Sequence, residues 1–302
     1  MKEGEAMKII EKSVYNFSKD NAPCLNADPG EILLFKTMDC FSNTITKEED
    51  LVLDMDYSVA NPAAGPVYIN GAVPGDVLVV DILDIQVADQ GVICTSRGCG
   101  PLCDDMEDRT RVVNITNGVA DFKGVKFHID PMIGVIGTAP DGEPVGDGFP
   151  GNHGGNMDSK IIKKGARVYF PVRVPGALLQ MGDIHATMGD AELCGTGIEI
   201  KGEIMVKTSI IKNFALNWPV TETATHWYVN ACAHEFPEAS KLASKELQRL
   251  ICNAYGWDKT DAYLYMSVQS DMEINQACKP CHVELVVRFG TPKLPQFKPL
   301  IG

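Results

Sequence analysis

Short runs of β-branched, aromatic and other apolar residues, separated by turn residues, fill most of the chain between Pro23 and Lys212. Between the runs stand turn signals such as Pro74-Gly75-Asp76 and Asn117-Gly118, in which glycine takes a positive φ or proline fixes φ. Many short strands at short spacing indicate sheets that pack on one another. We therefore predict a mainly β fold with a β-sandwich body that is jelly-roll-like and barrel-like. The predicted strands are Glu31–Thr37, Val77–Ala88, Arg111–Ile115, Val125–Ile129, Ala166–Val174 and Ile198–Ile211.

The last third of the chain has a different pattern. Helical periodicity runs over Glu238–Tyr255, and Gly256 is placed to end that helix. Asp258 is a suitable N-cap for a second helix, and His282–Phe289 alternates as a strand does. We predict an α+β C-terminal portion attached to the β body.

A chain of 302 residues exceeds the length at which a single core usually stops growing. We predict three parts that pack together. They are an N-terminal β-sandwich part (1–140), a β part carrying the active-site motifs (141–212) and the α+β part (213–302).

Charge and composition exclude several classes of partner. The 40 acidic and 27 basic residues give a net charge of -13, so no basic surface is expected for nucleic acid. No apolar run is long enough to span a bilayer, and Met1–Ile10 lacks the pattern of a secretory signal. We predict a cytoplasmic protein without a membrane partner, whose ten cysteines are mostly reduced.

The segment Gly182–Glu199 is the most informative for chemistry. If it begins in a strand, the period of two puts Asp183 and His185 on one face, and the same argument pairs Asp190 with Glu192. Carboxylates with an imidazole suit zinc, whereas oxygen ligands alone favour calcium or magnesium. The structural alternative is a solvated turn in which His185 is merely hydrogen-bonded, but the interleaved glycines favour close approach of a ligand.

A second glycine-rich loop precedes this segment. Gly151–Asp158 offers an imidazole at His153, an amide at Asn156 and a carboxylate at Asp158. Its structural alternative is an ordinary Gly/Asn turn with His153 facing water.

Together these segments resemble the acetamidase/formamidase family. The run from Gly182 to Glu199 is similar to the family signature Gly-Asp-x-His-x-x-x-Gly-Asp-x-Glu-x-Cys-Gly-Thr-x-x-Glu. Asp39-Cys40 and Gly154-Gly155-Asn156-x-Asp158 occur in the corresponding order, and the resemblance extends from about Ile10 to Val286. It implies a β-sandwich-rich fold, hydrolysis of a small linear amide such as formamide or acetamide to a carboxylate and ammonia, and a homo-oligomer, either a dimer or a tetramer.

We expect a divalent metal, zinc before calcium, to activate water for this hydrolysis. Glu192 is the expected proton shuttle, and Asn156 or a backbone amide beside Gly154 and Gly155 would stabilise the oxyanion. The predicted metal ligands are His153, Asp183, His185 and Glu192. The predicted catalytic residues are Glu192, Asn156, Asp158 and Asp190, and the predicted substrate-binding residues are Asp39, Gly154 and Gly155.

Other interpretations stay open. Cys40 or Cys194 would serve as the nucleophile of a cysteine amidase if a neighbouring base formed its thiolate. The glycine-rich loops would also suit a non-catalytic jelly-roll module that binds metal or carbohydrate, or a degenerate family member acting only in assembly. Cys278-Lys279-Pro280-Cys281 has the spacing of a zinc or disulfide site, to which Cys99 and Cys103 would add partners.

Overall fold

Two large β-sheets carry most of the chain in a computed structural model that describes residues 7–302. The first six residues of the predicted N-terminal part lie outside this range. The strands, in chain order, are β1 Lys8–Ile10, β2 Ser13–Val14, β3 Asn16–Phe17, β4 Leu25–Ala27, β5 Ile32–Thr37, β6 Ala63–Ile69, β7 Val77–Val87, β8 Gln90–Thr95, β9 Arg109–Thr116, β10 Val119–Phe122, β11 Val125–His128, β12 Met132–Gly137, β13 Val145–Gly146, β14 Pro150–Gly151, β15 Gly154–Asn156, β16 Arg167–Pro171, β17 Leu179–His185, β18 Glu199–Ile200, β19 Gly202–Ile211, β20 Val220–Glu222, β21 His226–Ala233, β22 Asp271–Gln276 and β23 Leu285–Pro292.

The first sheet has nine strands in the order β1-β5-β19-β7-β16-β20-β21-β23-β22. The second has twelve; its main path is β11-β10-β9-β8-β18-β17-β12-β15-β14, and β6 joins β2 and β4 to β17. A small pair, β3 and β13, completes the strands. The predicted mainly β fold is confirmed.

Alternation along β7 explains how the layers pack. Leu78 and Val80 point into the main core between the two sheets, whereas Val77 and Val79 point into a second core on the opposite face. A strand with apolar residues on both faces is expected to be buried on both sides. Helix α1 (Phe236–Tyr255) covers that second face through residues that include Leu247 and Leu250.

The helix predictions are confirmed. Helix α1 ends at Gly256, which has a φ of 71° and caps the helix in the left-handed conformation. Helix α2 (Lys259–Gln269) begins after Asp258, whose side chain accepts from the backbone N–H groups of Thr260 and Asp261. Two short 3-10 turns, Val52–Asp54 and Tyr57–Val59, lie in the long connection after β5. Neither α-helix in residues 7–302 is long and apolar enough to cross a membrane.

Two strand predictions need correction. The run Ile198–Ile211 is not one strand: it divides at Lys201 into β18 and β19, which belong to different sheets. The final strand begins at Leu285 rather than His282, because residues 277–284 form an irregular connection. The nine-stranded sheet also takes strands from all three predicted parts, so the boundaries at 140 and 212 do not separate independent sheets.

Candidate active site

The site is built on β17, whose seven residues are all buried. This strand lies between β12 and β18 in the second sheet, and the register places His185 opposite Glu199. Asp183 leaves the regular strand geometry with a φ of 53°, yet its carboxylate still lies on the same side as His185. The predicted pairing of Asp183 with His185 is therefore confirmed.

Four buried carboxylates surround the imidazole of His185. From its Nε2 atom, Glu199 Oε2 lies at 3.2 Å and Asp183 Oδ1 at 3.3 Å. Asp158 Oδ1 and Glu192 Oε1 are slightly farther away, at 3.9 and 4.0 Å. All five side chains are at most 5% exposed, so the cluster lies inside the protein rather than on a solvated turn.

Gln276, at the end of β22, joins two of these carboxylates. Its side-chain amide donates to Asp158 Oδ2 at 2.5 Å and to Glu192 Oε2 at 3.0 Å. The backbone reinforces this contact, because Ala191 donates to the carbonyl of Ile274 at 3.0 Å. The C-terminal part of the chain thus fixes carboxylates that the central segment supplies.

The cluster offers two sets of candidate metal ligands. In each set the ligand atoms lie within 4.8 Å of one another: Asp158, His185 and Glu192 form one, and Cys40, Asp183 and Glu199 form the other.

Several buried polar atoms of the cluster have no hydrogen-bond partner. They include Asp158 Oδ1, Asp183 Oδ1 and Glu199 Oε2. A buried acceptor without a donor is costly, and several together are typical of a site that receives a cation or ligand.

Burial and mutual repulsion shift the pKa values of these groups. Burial raises the pKa of Glu192 to about 7 and that of Glu199 to about 8, although His185 acts to lower both. Burial, with Glu192 and Asp183 nearby, also raises the pKa of Asp158 well above its usual range. Burial disfavours charged His185, but Glu199 and Asp183 outweigh it and hold the imidazole pKa well above its ordinary value. Such shifted pKa values, with a cause in burial and in neighbouring charges, are typical of functional sites.

Gly134 shows why the carboxylates can approach so closely. A Cβ at this position of β12 would lie 2.5 Å from Asp183 Oδ2 and 2.6 Å from Asp158 Oδ1. The two carboxylates therefore occupy the space that the Cβ atom of any other residue at position 134 would need.

Asp39 connects the cluster with the surface. Its Oδ1 atom accepts from the backbone N–H groups of Phe41 at 3.0 Å and Asn43 at 2.7 Å. Asp39 also lines a cleft of about 310 Å³ together with Asn43, Gln90 and Lys201. Burial and the charge of Asp183 raise the pKa of Asp39. Asp39 precedes the candidate ligand Cys40 in the chain, so the cleft lies next to a segment of the candidate site.

Asp190 lies outside the cluster, contrary to the expectation that it converges with Glu192. Ala191 and Glu192 have positive φ values of 78° and 45°, so the alternation of a strand does not apply there. The Asp190 carboxylate pairs instead with Arg288 and, at 2.7 Å, with Lys160.

His153 is likewise in neither set of ligands. Its ring is buried edge-on against Phe17, with ring centroids 4.8 Å apart. Burial, with Arg173 nearby, lowers its pKa to about 4, so the imidazole is neutral. Its Nε2 atom has no hydrogen-bond partner, and the metal-ligand role of His153 stays a prediction.

Gly154 and Gly155 follow His153 and lie between two neighbouring strands of the second sheet. Gly154 and Gly155 pair with β12 on one side and β14 on the other. A Cβ would lie 2.3 Å from the carbonyl oxygen of Ile136 at Gly154, and 2.3 Å from that of Phe149 at Gly155. These glycines therefore let neighbouring strands approach closely, and their role in substrate binding stays a prediction. Asn156 follows them, 7% exposed, with its Oδ1 atom unpartnered.

Comparison with known proteins relates the whole chain to a family. The model of the Acetamidase/Formamidase family matches residues 5–145 and 149–279. Among curated proteins, a formamidase of Methylophilus methylotrophus is 28% identical over 249 residues, which is 61% of this chain and 60% of that protein. The chain thus spans about three fifths of the length of the curated relatives it matches.

Solved structures agree over a larger share. The acetamidase of Bacillus halodurans has a TM-score of 0.90 and 36% identity, covering 94% of this chain and 97% of that one. A predicted acetamidase/formamidase of Thermoanaerobacter tengcongensis has a TM-score of 0.91 and 38% identity, covering 95% of each chain.

Proposed function

The chain belongs to the acetamidase/formamidase family, and from this premise we propose that it hydrolyses a small linear amide, of the formamide or acetamide type, to a carboxylate and ammonia. The observation that carries the proposal is the cluster around His185, in which buried carboxylates have unpartnered oxygens. A cleft is lined by Asp39, which precedes the candidate ligand Cys40. The formamidase of Methylophilus methylotrophus and the acetamidase of Bacillus halodurans support the class of substrate.

We further propose that the cluster binds a divalent metal. Four buried carboxylates face one imidazole, and no Lys or Arg nitrogen forms an ion pair with them within residues 7–302. Such a group is expected to remain protonated or to bind a cation. Asp158, His185 and Glu192 would hold one ion, and Cys40, Asp183 and Glu199 are a second candidate set.

The donor atoms suit zinc better than calcium. Each set combines oxygen with nitrogen or sulfur, whereas calcium takes oxygen ligands. A bound zinc ion supplies Lewis acidity, which polarises the amide carbonyl and acidifies water.

Glu192 is the residue that we assign to proton transfer. Its buried carboxylate can accept a proton from the attacking water and return it to the departing nitrogen, and Asp158 and His185 then remain to hold the ion. Gln276 holds the Glu192 carboxylate in place by its hydrogen bond at 3.0 Å. Asp39 uses one oxygen for backbone N–H groups, which leaves the other to accept from the NH₂ group of an amide in the cleft.

The alternative of a cysteine nucleophile has less support. Burial, with Glu199 and Asp183 nearby, raises the pKa of the Cys40 thiol well above its usual value, which opposes formation of a thiolate. The thiol of Cys194 contacts Thr196, 3.8 Å away, and no imidazole bonds with it in the described part of the chain. Cys194 therefore lacks a neighbouring base, whereas Cys40 lies beside the carboxylates of Asp183 and Glu199, whose charges oppose formation of its thiolate.

The experiment is ammonia release from formamide, acetamide and propionamide by the zinc-supplemented protein. We expect release by the wild type and a loss of about 10²–10⁴-fold in kcat for Glu192→Gln, which keeps the shape but cannot shuttle a proton. Glu203→Gln, the same change on β19 outside the cluster, is the matched control and should keep its activity. No ammonia from any amide would contradict the proposed function.

A further inference from the structure

A second group of reactive side chains lies beside the acidic cluster but outside it. The Sγ atoms of Cys278 and Cys281 are 3.3 Å apart, and Cys99 lies nearby, because a Cβ at Gly195 would contact both Cys99 and Cys278. All three are free thiols, with Cys278 buried and the other two half-buried. Two distant segments of the chain therefore bring three cysteines into the same neighbourhood.

Three irregular connections meet at these thiols: residues 96–108, 186–198 and 277–284. The backbone N–H of Gly100 donates to the carbonyl of Cys278 at 2.7 Å and joins two of them. The connection 186–198 lies against both of the others, because a Cβ at Gly195 would lie 3.4 Å from Cys99 Sγ and 3.8 Å from Cys278 Cβ. The connections thus pack tightly around sulfur although none contains a strand or helix.

We propose that Cys99, Cys278 and Cys281 bind a soft divalent cation of the zinc class, with Cys103 as the fourth ligand. The spacings Cys99-x-x-x-Cys103 and Cys278-x-x-Cys281 match those of structural zinc sites, in which two such pairs close a tetrahedron. Cys103 is held near Cys99 by a turn, since its backbone N–H donates to the carbonyl of Gly100 at 3.2 Å.

The sulfur separation favours a metal over a disulfide. Zn–S bonds of about 2.3 Å in a tetrahedron place two sulfurs about 3.8 Å apart, whereas a disulfide brings them to about 2.05 Å. The observed 3.3 Å is closer to the first value. Thiolates also select softer ions than the carboxylates around His185 do, so the two sites would fill independently.

The proposed thiol site would hold the connections that carry the acidic cluster. Gln276, whose amide bridges Asp158 and Glu192, lies two residues before Cys278. The backbone N–H of Ala277 donates to the carbonyl of Ala191 at 2.9 Å, which ties the same connection to the residue before Glu192. An ion at the thiols would therefore brace the acidic cluster without entering the reaction.

The test uses cobalt, because thiolate ligands give Co²⁺ an intense charge-transfer absorption in the near ultraviolet that oxygen and nitrogen ligands do not. We expect this band in the full-length wild type and its loss in Cys281→Ser, together with loss of one metal equivalent. Cys252→Ser, a half-buried cysteine on α1, is the matched control and should keep the band. His185→Ala should keep it as well, and Cys40→Ser should lose at most the share of a single thiolate, which separates this site from the acidic cluster whether or not the proposed amidase activity is found.

A second measurement on the wild type avoids dependence on the folding of any variant. Titration of the zinc-loaded protein with an organomercurial should release zinc in step with thiol modification, read with a metal-binding dye. A cobalt band that persists in Cys281→Ser would overturn the proposal. So would a titration without zinc release, or a Cys278–Cys281 disulfide found by mass spectrometry in protein purified with zinc.

Discussion

Arg288 binds Asp190 through two parallel hydrogen bonds, from Nη1 to Oδ1 at 2.7 Å and from Nη2 to Oδ2 at 2.8 Å. Arg288 lies on β23 and is 1% exposed, and it also donates to Glu273 and Asn275. This pair attaches the 186–198 connection to the nine-stranded sheet, two residues before Glu192. Asp190 thus places the loop that presents Glu192 to the acidic cluster.

Replacing Asp190 with asparagine should weaken this attachment. Arg288 would remain buried with a neutral partner, and we expect the free energy of unfolding to fall by about 1–3 kcal/mol. Urea denaturation of Asp190→Asn measures the change, with Asp104→Asn on an exposed turn as the control. Metal bound at the acidic cluster should be retained after dialysis. Unchanged stability with loss of that metal would instead make Asp190 a ligand.

Gln276 should control the pH at which Glu192 acts. Its hydrogen bond favours the charged carboxylate, so Gln276→Leu should raise the Glu192 pKa from its value near 7. Because the proton acceptor must be ionised, the acid limb of the kcat profile should move to higher pH. The pH dependence of ammonia release measures this shift, with the exposed Gln269→Leu as control. An unmoved limb would remove Glu192 from the role of base.

Asp147 makes the stability of the protein depend on pH. Burial raises its pKa to about 8, although Gln180 donates to its Oδ1 atom at 2.9 Å and opposes the shift. The folded state therefore holds a proton that the unfolded state has lost above about pH 4. The free energy of unfolding therefore falls as the pH rises from about 4, by up to about 1.4 kcal/mol per pH unit, until the pH passes the pKa of Asp147 in the folded state.

Asp147→Asn removes that titration. The difference in unfolding free energy between variant and wild type should therefore move in favour of the variant as the pH rises toward about 8. Urea denaturation at several pH values tests this, and parallel curves for the two proteins would show that Asp147 does not carry the effect.

Cys194 stands within the family motif but should be dispensable for chemistry. Its thiol contacts only Thr196 among the described residues, so Cys194→Ala should keep kcat within about threefold. Initial rates of ammonia release measure this. Complete loss of activity in a folded, metal-replete variant would revive the cysteine mechanism.

Local alternation in the sequence predicted Asp183 beside His185, and the pairing survives the positive φ of Asp183 because both residues belong to β17. The same argument failed for Asp190 and Glu192, which lie outside any strand and are separated by a residue with a positive φ, Ala191. Nothing in local sequence distinguishes Ala191 as such a position. Alternation is reliable only where a strand continues.

Site residues that come together from distant segments could not be predicted from the sequence. Gln276 reaches Glu192 across 84 positions, and Cys40 meets Asp183 and Glu199 only after the sheets assemble. Glu199 ends the family motif, but its place in the site depends on the break at Lys201 that puts β18 in the second sheet. The role of Gly134 could not be predicted either, because it depends on the carboxylates of Asp158 and Asp183 that pack against this position only in the folded chain.

The most direct test of the central claim couples metal content to ammonia release in wild type and His185→Ala. We predict that the wild type holds at least one more zinc equivalent than the variant, loses ammonia release on chelation and regains it when zinc is restored. Undiminished ammonia release from the wild type after removal of its metal would contradict the account.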